Sequence, residues 1–252
     1  MSESNGTIVK SRGMQFIDSV LTPDRMDIIS SAAAGNRFAT PEKIKGTIIE
    51  ACMRNPDLFE CDRVSVYTSC MLAARLDLDV SGFHNGAAFV ARWAGRDNPK
   101  ECGIQFGYGA LIDLATRDGR IRSFTVAAVY EGDEFEYSLG TQRFIRHVPK
   151  PHGDDEKPTH FYSIAWYPDG GFEFDVMFAS EVDAIRDKHA THNGKISPAW
   201  RYSYPEQGKK TVLRRLIKRL PVNPVLAEAI HEGDVSDGYR FHEDRVRRKS
   251  VV

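Results

Sequence analysis

The sequence is short of most features that would place it quickly. Its 252 residues hold only four cysteines, Cys52, Cys61, Cys70 and Cys102, and no CxxC pair. On a helix a nine-residue step turns the chain by about half a revolution, so the first three would not share a face. These are expected to be reduced thiols of a cytosolic protein, not a zinc site or disulfides. No apolar run approaches the roughly 20 residues a membrane helix needs. Met1 to Gly13 is polar, without the apolar core of a secretory signal, and is expected to be disordered. A GxxxxGK[ST] phosphate loop is missing, and Gly107-Tyr108-Gly109 lacks the spacing of a dinucleotide loop, so an ATP-driven mechanism has no support. An excess of one charge is missing too, since the formal net charge is −1.

The charges are nevertheless unevenly placed. From Arg201 onward there are 12 Lys+Arg against 7 Asp+Glu, net +5, while the first 200 residues hold 22 against 28, net −6. Such a split predicts a local anionic partner for the C-terminal part.

Pattern along the chain predicts helices, then strands, then helices. Thr40-Pro41-Glu42 is a helix start, with Thr as N-cap, Pro at the first position and an acid in the first turn. That helix carries Ile44, Ile48, Ile49 and Cys52 on one side and stops at Asn55-Pro56. Another helix is predicted over 63–76. Strands are predicted over 87–94, 101–107, 121–130, 134–139 and 143–148, with a short helix over 108–116. The clearest hairpin joins 161–167 to 172–178 around Pro168-Asp169-Gly170-Gly171. Helices return over 180–189, 204–220 and 224–231. The fold class is therefore α+β: N-terminal helices, a central, mostly antiparallel sheet with hairpins, and C-terminal helices. The expected layout is one domain over 14–232, with a helical lobe (14–80), a sheet-rich core (81–180) and closing helices (181–232). A charged flexible tail (233–252) would follow.

Within the last group, no Asp or Glu lies between Gln207 and Pro221. On a helical wheel Val212, Leu213, Leu216, Ile217 and Leu220 fall in an arc of about 140°. Lys210, Arg214, Arg215, Lys218 and Arg219 fall opposite, with Thr211 near their centre, whereas Lys209 lies at the apolar edge. A solvated helix usually mixes acids with bases. Two explanations remain open: an external polyanion such as a nucleic-acid backbone, or acids elsewhere in the fold. Just upstream, Trp200-Arg201-Tyr202-Ser203-Tyr204, if extended, would put three aromatics on one side with Arg201 opposite. Aromatics beside a basic track suit single strands. Alternatively, Trp200 and Tyr204 are core or helix-entry residues. Arg117, Arg120 and Arg122, around the Asp118-Gly119 turn, either extend the track or solvate a turn.

Several segments together resemble the RecT family of phage single-strand annealing proteins. Gln105-Phe106-Gly107-Tyr108-Gly109-Ala110-Leu111-Ile112-Asp113-Leu114-Ala115 is similar to a family block, with the second Gly shifted. Val129-Tyr130-Glu131-Gly132-Asp133-Glu134-Phe135 is similar to a strand and turn. Ser197-Pro198, Trp200, Lys210-Thr211 and Arg214-Arg215 through Leu220-Pro221 resemble its C-terminal signature. Asn55-Pro56, Leu58, Cys61, Ser65 and 72–78 resemble its N-terminal block, except that Asp77 stands where the family usually has Gly. The likeness covers about residues 40 to 222.

That resemblance implies an ATP-independent, non-catalytic protein that coats single-stranded DNA, pairs complementary strands and holds the annealed duplex. It also implies a homo-oligomer, in rings or helical filaments, and a bacterial cytoplasmic setting close to the nucleoid. Its implied partners are a phage exonuclease and the host single-strand binding protein, with no membrane and no cofactor beyond a Mg²⁺ dependence without a defined site. By position it makes Lys210, Thr211, Arg214 and Arg215 DNA contacts, together with Gln105 and Tyr108. The residue pattern adds Lys218, Trp200 and Arg201. Lys and Arg hold phosphates without sequence preference, Thr211 could donate to a phosphate, and Tyr108 offers a stacking ring or a strand-to-helix packing contact.

The competing class is a metal-dependent nuclease. Asp154-Asp155-Glu156-Lys157 offers carboxylates and a lysine, but in a Pro/Gly loop ill suited to rigid ligation. His189 and His192 are three apart, with no third ligand nearby. A purely structural virion protein is the third class, and it would lack salt-sensitive affinity for oligonucleotides.

Overall fold

The computed structural model describes residues 14–83, 86–93, 99–153, 155–192, 195–221 and 224–236. The expected disordered start, the tail beyond residue 236 and Asp154 lie outside them. By contacts the described chain divides into two compact units, one running to Leu114 and resuming at His231, the other spanning Ala115–Ile230.

The first unit opens with helices over 14–20 (α1), Pro23–Ala32 (α2) and Pro41–Arg54 (α3). The Thr40 side chain accepts from the Lys43 N–H, and Ile44, Ile48, Ala51 and Cys52 form the buried stripe of α3. The i, i+4, i+7, i+8 spacing accounts for that stripe. Asn55 ends α3 and caps the 3₁₀ turn Pro56–Glu60 by accepting from the Asp57 N–H at 3.2 Å. Helix α4 (Arg63–Arg75) starts on Asp62, which accepts from the Ser65 N–H at 2.9 Å.

Helix α4 is tied to the hairpin of β1 (Ala87–Trp93) and β2 (Lys100–Phe106) by two serines. The Cys102 N–H donates to Ser65 Oγ at 2.9 Å, and Ser69 Oγ donates to the Cys102 carbonyl at 3.1 Å. Cys52, Cys61, Cys70 and Cys102 are all free and buried, and they come from α3, the end of the 3₁₀ turn, α4 and β2. Burial pushes every one of these thiols up, Cys52 and Cys102 to about 12 and Cys61 to about 11.

Helix α4 ends in a Schellman motif, with Leu78 N–H donating to the Ala73 carbonyl and Asp77 N–H to that of Ala74. That motif needs a left-handed residue, usually Gly, and here it is Asp77 at φ 45°. The Asp77 carboxylate receives the backbone N–H groups of Arg37, Phe38 and Ala39 at 3.1, 2.8 and 2.8 Å. Asp thus takes the glycine position and binds the 37–39 loop in return. Helix α5 (Tyr108–Thr116) contains the boundary between the units.

The second unit is built on a three-stranded antiparallel sheet in the order β3-β6-β7: Ser123–Tyr130, Pro158–Trp166 and Phe172–Phe178. The predicted β6–β7 turn forms around Gly170 (φ 89°), with Tyr167 N–H donating to the Gly171 carbonyl at 2.8 Å. One face of the sheet carries Tyr162, Ile164, Phe174 and Val176 and is covered by a hairpin of β4 (Glu134–Ser138) and β5 (Phe144–Val148), through Phe135, Tyr137 and Ile145. The expected single sheet is thus several separate antiparallel sheets. The other face carries Phe161, Ala165 and Met177 and packs on α6 (Ala179–His189) and α8 (Tyr204–Ile217). Between those helices lie the short pair β8 (Thr191–His192) and β9 (Lys195–Ile196) and helix α7 (Pro198–Tyr202), and α9 (Pro224–Ser236) closes the described chain.

At Gly208 α8 lies tight against the sheet, since a Cβ there would overlap the Phe161 ring. Under the hairpin, His147 joins Asp133 at 3.0 Å through Nε2 and the Tyr162 hydroxyl at 3.2 Å through Nδ1.

Candidate nucleic-acid interface

The apolar stripe of α8 is as the wheel predicts: Val212, Leu213, Leu216 and Ile217 are fully buried. The basic arc is not the open surface its composition suggests. Lys210 and Arg214 are 9% and 5% exposed, and Thr211 is buried beside them. The Thr211 hydroxyl donates to the Gln207 carbonyl one turn back at 2.8 Å, so its proton is already engaged within the helix.

Arg215 is tied to the sheet. Its Nε donates to Asp175 Oδ2 at 2.6 Å and its Nη2 to Asp175 Oδ1 at 3.0 Å. Its Nη1 donates to Glu181 Oε1 at 3.0 Å, and Nη2 also reaches the Val176 carbonyl at 2.6 Å. Arg219 approaches Asp175 Oδ1 at 3.0 Å. The like-charge repulsion that pointed to an external anion is therefore offset for these two residues by acids of β7 and α6. A wheel drawn on one helix cannot see acids on other elements, and this is the alternative the composition left open. Asp175, 4% exposed at its side chain, is the residue the sequence pattern passed over. A detectable signal existed: in Phe172-Glu173-Phe174-Asp175-Val176-Met177 the acid shares its face with Met177, which packs on the helices. A carboxylate on such a face requires a cation.

These arginines also close an open edge. Among the described residues strand β7 pairs with β6 alone, so one row of its backbone groups faces outward. The Phe174 carbonyl accepts from Arg143 at 3.3 Å and Arg219 at 3.5 Å, and the Val176 carbonyl accepts from Arg215.

The aromatic run before α8 is helical, not extended. Ser197 precedes Pro198 at the first position of α7, a helix-starting arrangement. Trp200 packs against the Phe161–Met177–Val182–Val212 cluster, and Tyr204 lies 5.8 Å from the Phe161 ring and 6.1 Å from Trp200. Both are helix-entry core residues. Arg201 and Tyr202 remain at the surface, Tyr202 79% exposed. Lys218, past the last turn of α8, is exposed as well, as are Arg117, Arg120 and Arg122. In the first unit, Gln105 is exposed on β2 and Tyr108 half-buried at the start of α5.

As to hydrolytic chemistry, Glu156 accepts from the Gly153 N–H within its own loop. Among the described residues no group of three or more His, Cys, Asp or Glu is placed to hold a metal ion. No helix of the described residues is long and apolar enough to cross a membrane.

The RecT family model matches residues 42–235. Protein RecT of Escherichia coli (strain K12) is 32% identical over 203 residues, which cover 79% of this chain and 73% of that protein. The matched span takes in the blocks around Gln105, Asp133 and α8.

Proposed function

The chain belongs to the RecT family and is a non-catalytic single-strand annealing protein of DNA recombination, and from that premise we propose how its surface holds the strand. The direct contacts in the second unit are the exposed residues at the two ends of α8, Arg201 and Tyr202 before it and Lys218 after it, and Gln105 and Tyr108 are separate contacts proposed for the first unit by themselves. A helix of 14 residues is about 21 Å long, a span of several nucleotides. Arg201 and Lys218 neutralise phosphates, and the Tyr202 ring offers a face on which a base of any identity stacks. Such contacts leave base edges free to test a second strand. Lys210, Thr211, Arg214, Arg215 and Trp200 serve the strand indirectly, by fixing α8 and α7 in place.

The observation that carries this division is the engagement of Arg215 by Asp175, Glu181 and Val176 through four of its five N–H groups, set against the exposure of Arg201, Tyr202 and Lys218. Fluorescence anisotropy with a labelled oligonucleotide over a salt series tests it. Arg201→Ala and Lys218→Ala are expected to lower affinity and to shallow the salt slope by about one each. Unchanged slopes in both would remove these residues from the track.

We further propose a homo-oligomer on DNA, a partner exonuclease that supplies single strands, contact with the host single-strand binding protein, and residence in the bacterial cytoplasm at the nucleoid. A Mg²⁺ dependence of annealing, if measured, reflects charge screening between strands.

A further inference from the structure

The β4–β5 hairpin carries apolar side chains on both of its faces. Inward, Ile145 packs on the sheet and His147 joins Asp133 and Tyr162. Outward, β5 presents Phe144, Arg146 and Val148, with Phe144 and Val148 47% and 41% exposed. A hairpin with one solvated face normally alternates apolar and polar along each strand. Strand β4 obeys this, with exposed Glu134 and Glu136 alternating with Phe135 and Tyr137. Strand β5 does not, and apolar residues on both faces are the pattern of a strand covered on both sides.

We propose that this outward face docks against the same face of a second copy of the chain. The register supplies the argument for that occupant. Glu136 is the cross-strand partner of Arg146, Ser138 of Phe144, and Glu134 of Val148. A second copy related by a two-fold axis running along the hairpin, between its strands, lays its β4 over the first copy's β5. Because Glu136 and Arg146 stand at one level, each copy's Glu136 then meets the other's Arg146. Phe144 lies opposite the small Ser138, and Val148 opposite the aliphatic stem of Glu134. The face is thus self-complementary in charge and in size, as an isologous contact requires. The acids Glu134 and Glu136 repel a phosphate backbone and make DNA a poor occupant. Extension through the edge of β7 is hindered, because the Phe174 and Val176 carbonyls are held by arginines. This surface rests on the proposed homo-oligomer; being isologous, it pairs two chains and leaves any ring or filament to be propagated by other, head-to-tail contacts.

The test is sedimentation velocity of the full chain without DNA, over a concentration series. Glu136→Arg and Arg146→Glu each bring like charges together across the axis and are expected to weaken self-association about tenfold or more. The double variant Glu136→Arg/Arg146→Glu should recover wild-type association, and so should a mixture of the two single variants, in which each chain keeps its own like-charge cross-strand pair and only the attraction between copies is restored. Arg146→Glu also removes the exposed pair with Glu134 at 3.5 Å, but such pairs add little to stability. Phe144→Glu should weaken association with an unchanged thermal melt, since Phe144 points away from the core. Single variants that sediment as wild type, or a double variant no better than the singles, would overturn the proposal and leave the face to another partner. Anisotropy with a short oligonucleotide, run in parallel, separates this outcome from the DNA reading: the hairpin variants keep wild-type affinity, whereas Arg201→Ala and Lys218→Ala lower affinity without touching association.

Discussion

Arg215 meets Asp175 side-on, with Nε and Nη2 donating to the two carboxylate oxygens at 2.6 and 3.0 Å. The bidentate fork joins α8 to β7 across 40 positions of sequence and is stronger than a single charged contact. Arg215→Ala would leave a buried carboxylate with Arg219 as its remaining partner. Breaking a buried pair by removing one member costs about 3–5 kcal/mol. Since Arg215 is itself part-exposed and Arg219 stays, roughly 2–3 kcal/mol is expected here. Thermal denaturation reads the loss. The salt slope of oligonucleotide binding, measured well below the melt, should stay at the wild-type value; a slope reduced by one with an unshifted melt would make Arg215 a DNA contact instead.

Gly208 sets two effects of opposite sign against each other. Replacing a helical Gly with Ala normally stabilises by about 1 kcal/mol. Here the new methyl would overlap the ring of Phe161, a fully buried side chain, and overpacking of a core costs about 1–3 kcal/mol. Gly208→Ala is expected to be net destabilising, and Phe161→Leu in the same chain to relieve part of the loss. A more stable single variant in chemical denaturation would show that the ring yields.

At Asp77 the left-handed backbone costs an L-residue about 1–2 kcal/mol, while three backbone N–H groups are held by its carboxylate. Asp77→Ala keeps the strain and loses the bonds, so it should destabilise the first unit more than Asp77→Gly, which loses the bonds but relieves the strain. Equal melts for the two variants would mean that the backbone strain is negligible.

Asp133 gives the fold a specific acid response. Burial alone would push its carboxyl up, but the N–H groups of Tyr130 and Lys150 and the His147 side chain outweigh that and hold it down from 3.8 to about 2. A depressed folded-state value means that its stabilisation is complete above pH 3.8 and disappears as pH falls through about 2. The Asp133→Asn variant should be less stable at neutral pH and flatter than wild type between those two values. Parallel acid-denaturation curves for the two proteins would contradict this.

The four thiols, raised by burial, should resist an aromatic disulfide reagent at pH 8 while the chain is folded and react on unfolding, because the thiolate is the reactive form. Immediate reaction of one equivalent without denaturant would show that a cysteine is accessible.

Element positions were largely legible because each rests on local chemistry: Thr40-Pro41 starts α3, Pro168-Asp169-Gly170-Gly171 turns β6 into β7, and period two marks the strands. At Trp200 to Tyr204 the alternation of aromatics suggests a strand, whereas Pro198 at the first position of α7 favours the helix that forms. What pattern could not show was pairing between distant elements. The partners of Arg215 lie on β7 and α6, so a helix rich in bases looked like a surface when part of it is the interior of its fold. Asp77 was visible as a departure from the family's Gly, yet its compensation depends on a loop 38–40 residues away. Arg201 was singled out by charge and Tyr202 as one of an aromatic series, but their exposure could not be separated from the burial of Trp200 and Tyr204 without the fold.

The arginine seal on β7 has an order in time. Arg143 precedes the strand, but Arg215 and Arg219 follow the carbonyls they cover by 39 and 45 residues. At roughly 5–20 residues per second, the ribosome needs several seconds after completing β7 to deliver them. During that interval the nascent sheet exposes the Val176 carbonyl on an apolar strand and can pair with a neighbouring chain on the same message. The growing protein is thus expected to be open to aggregation in the interval before α8 emerges, and substitutions at Arg215 should cut soluble yield during synthesis more than they cut the stability of chains already folded.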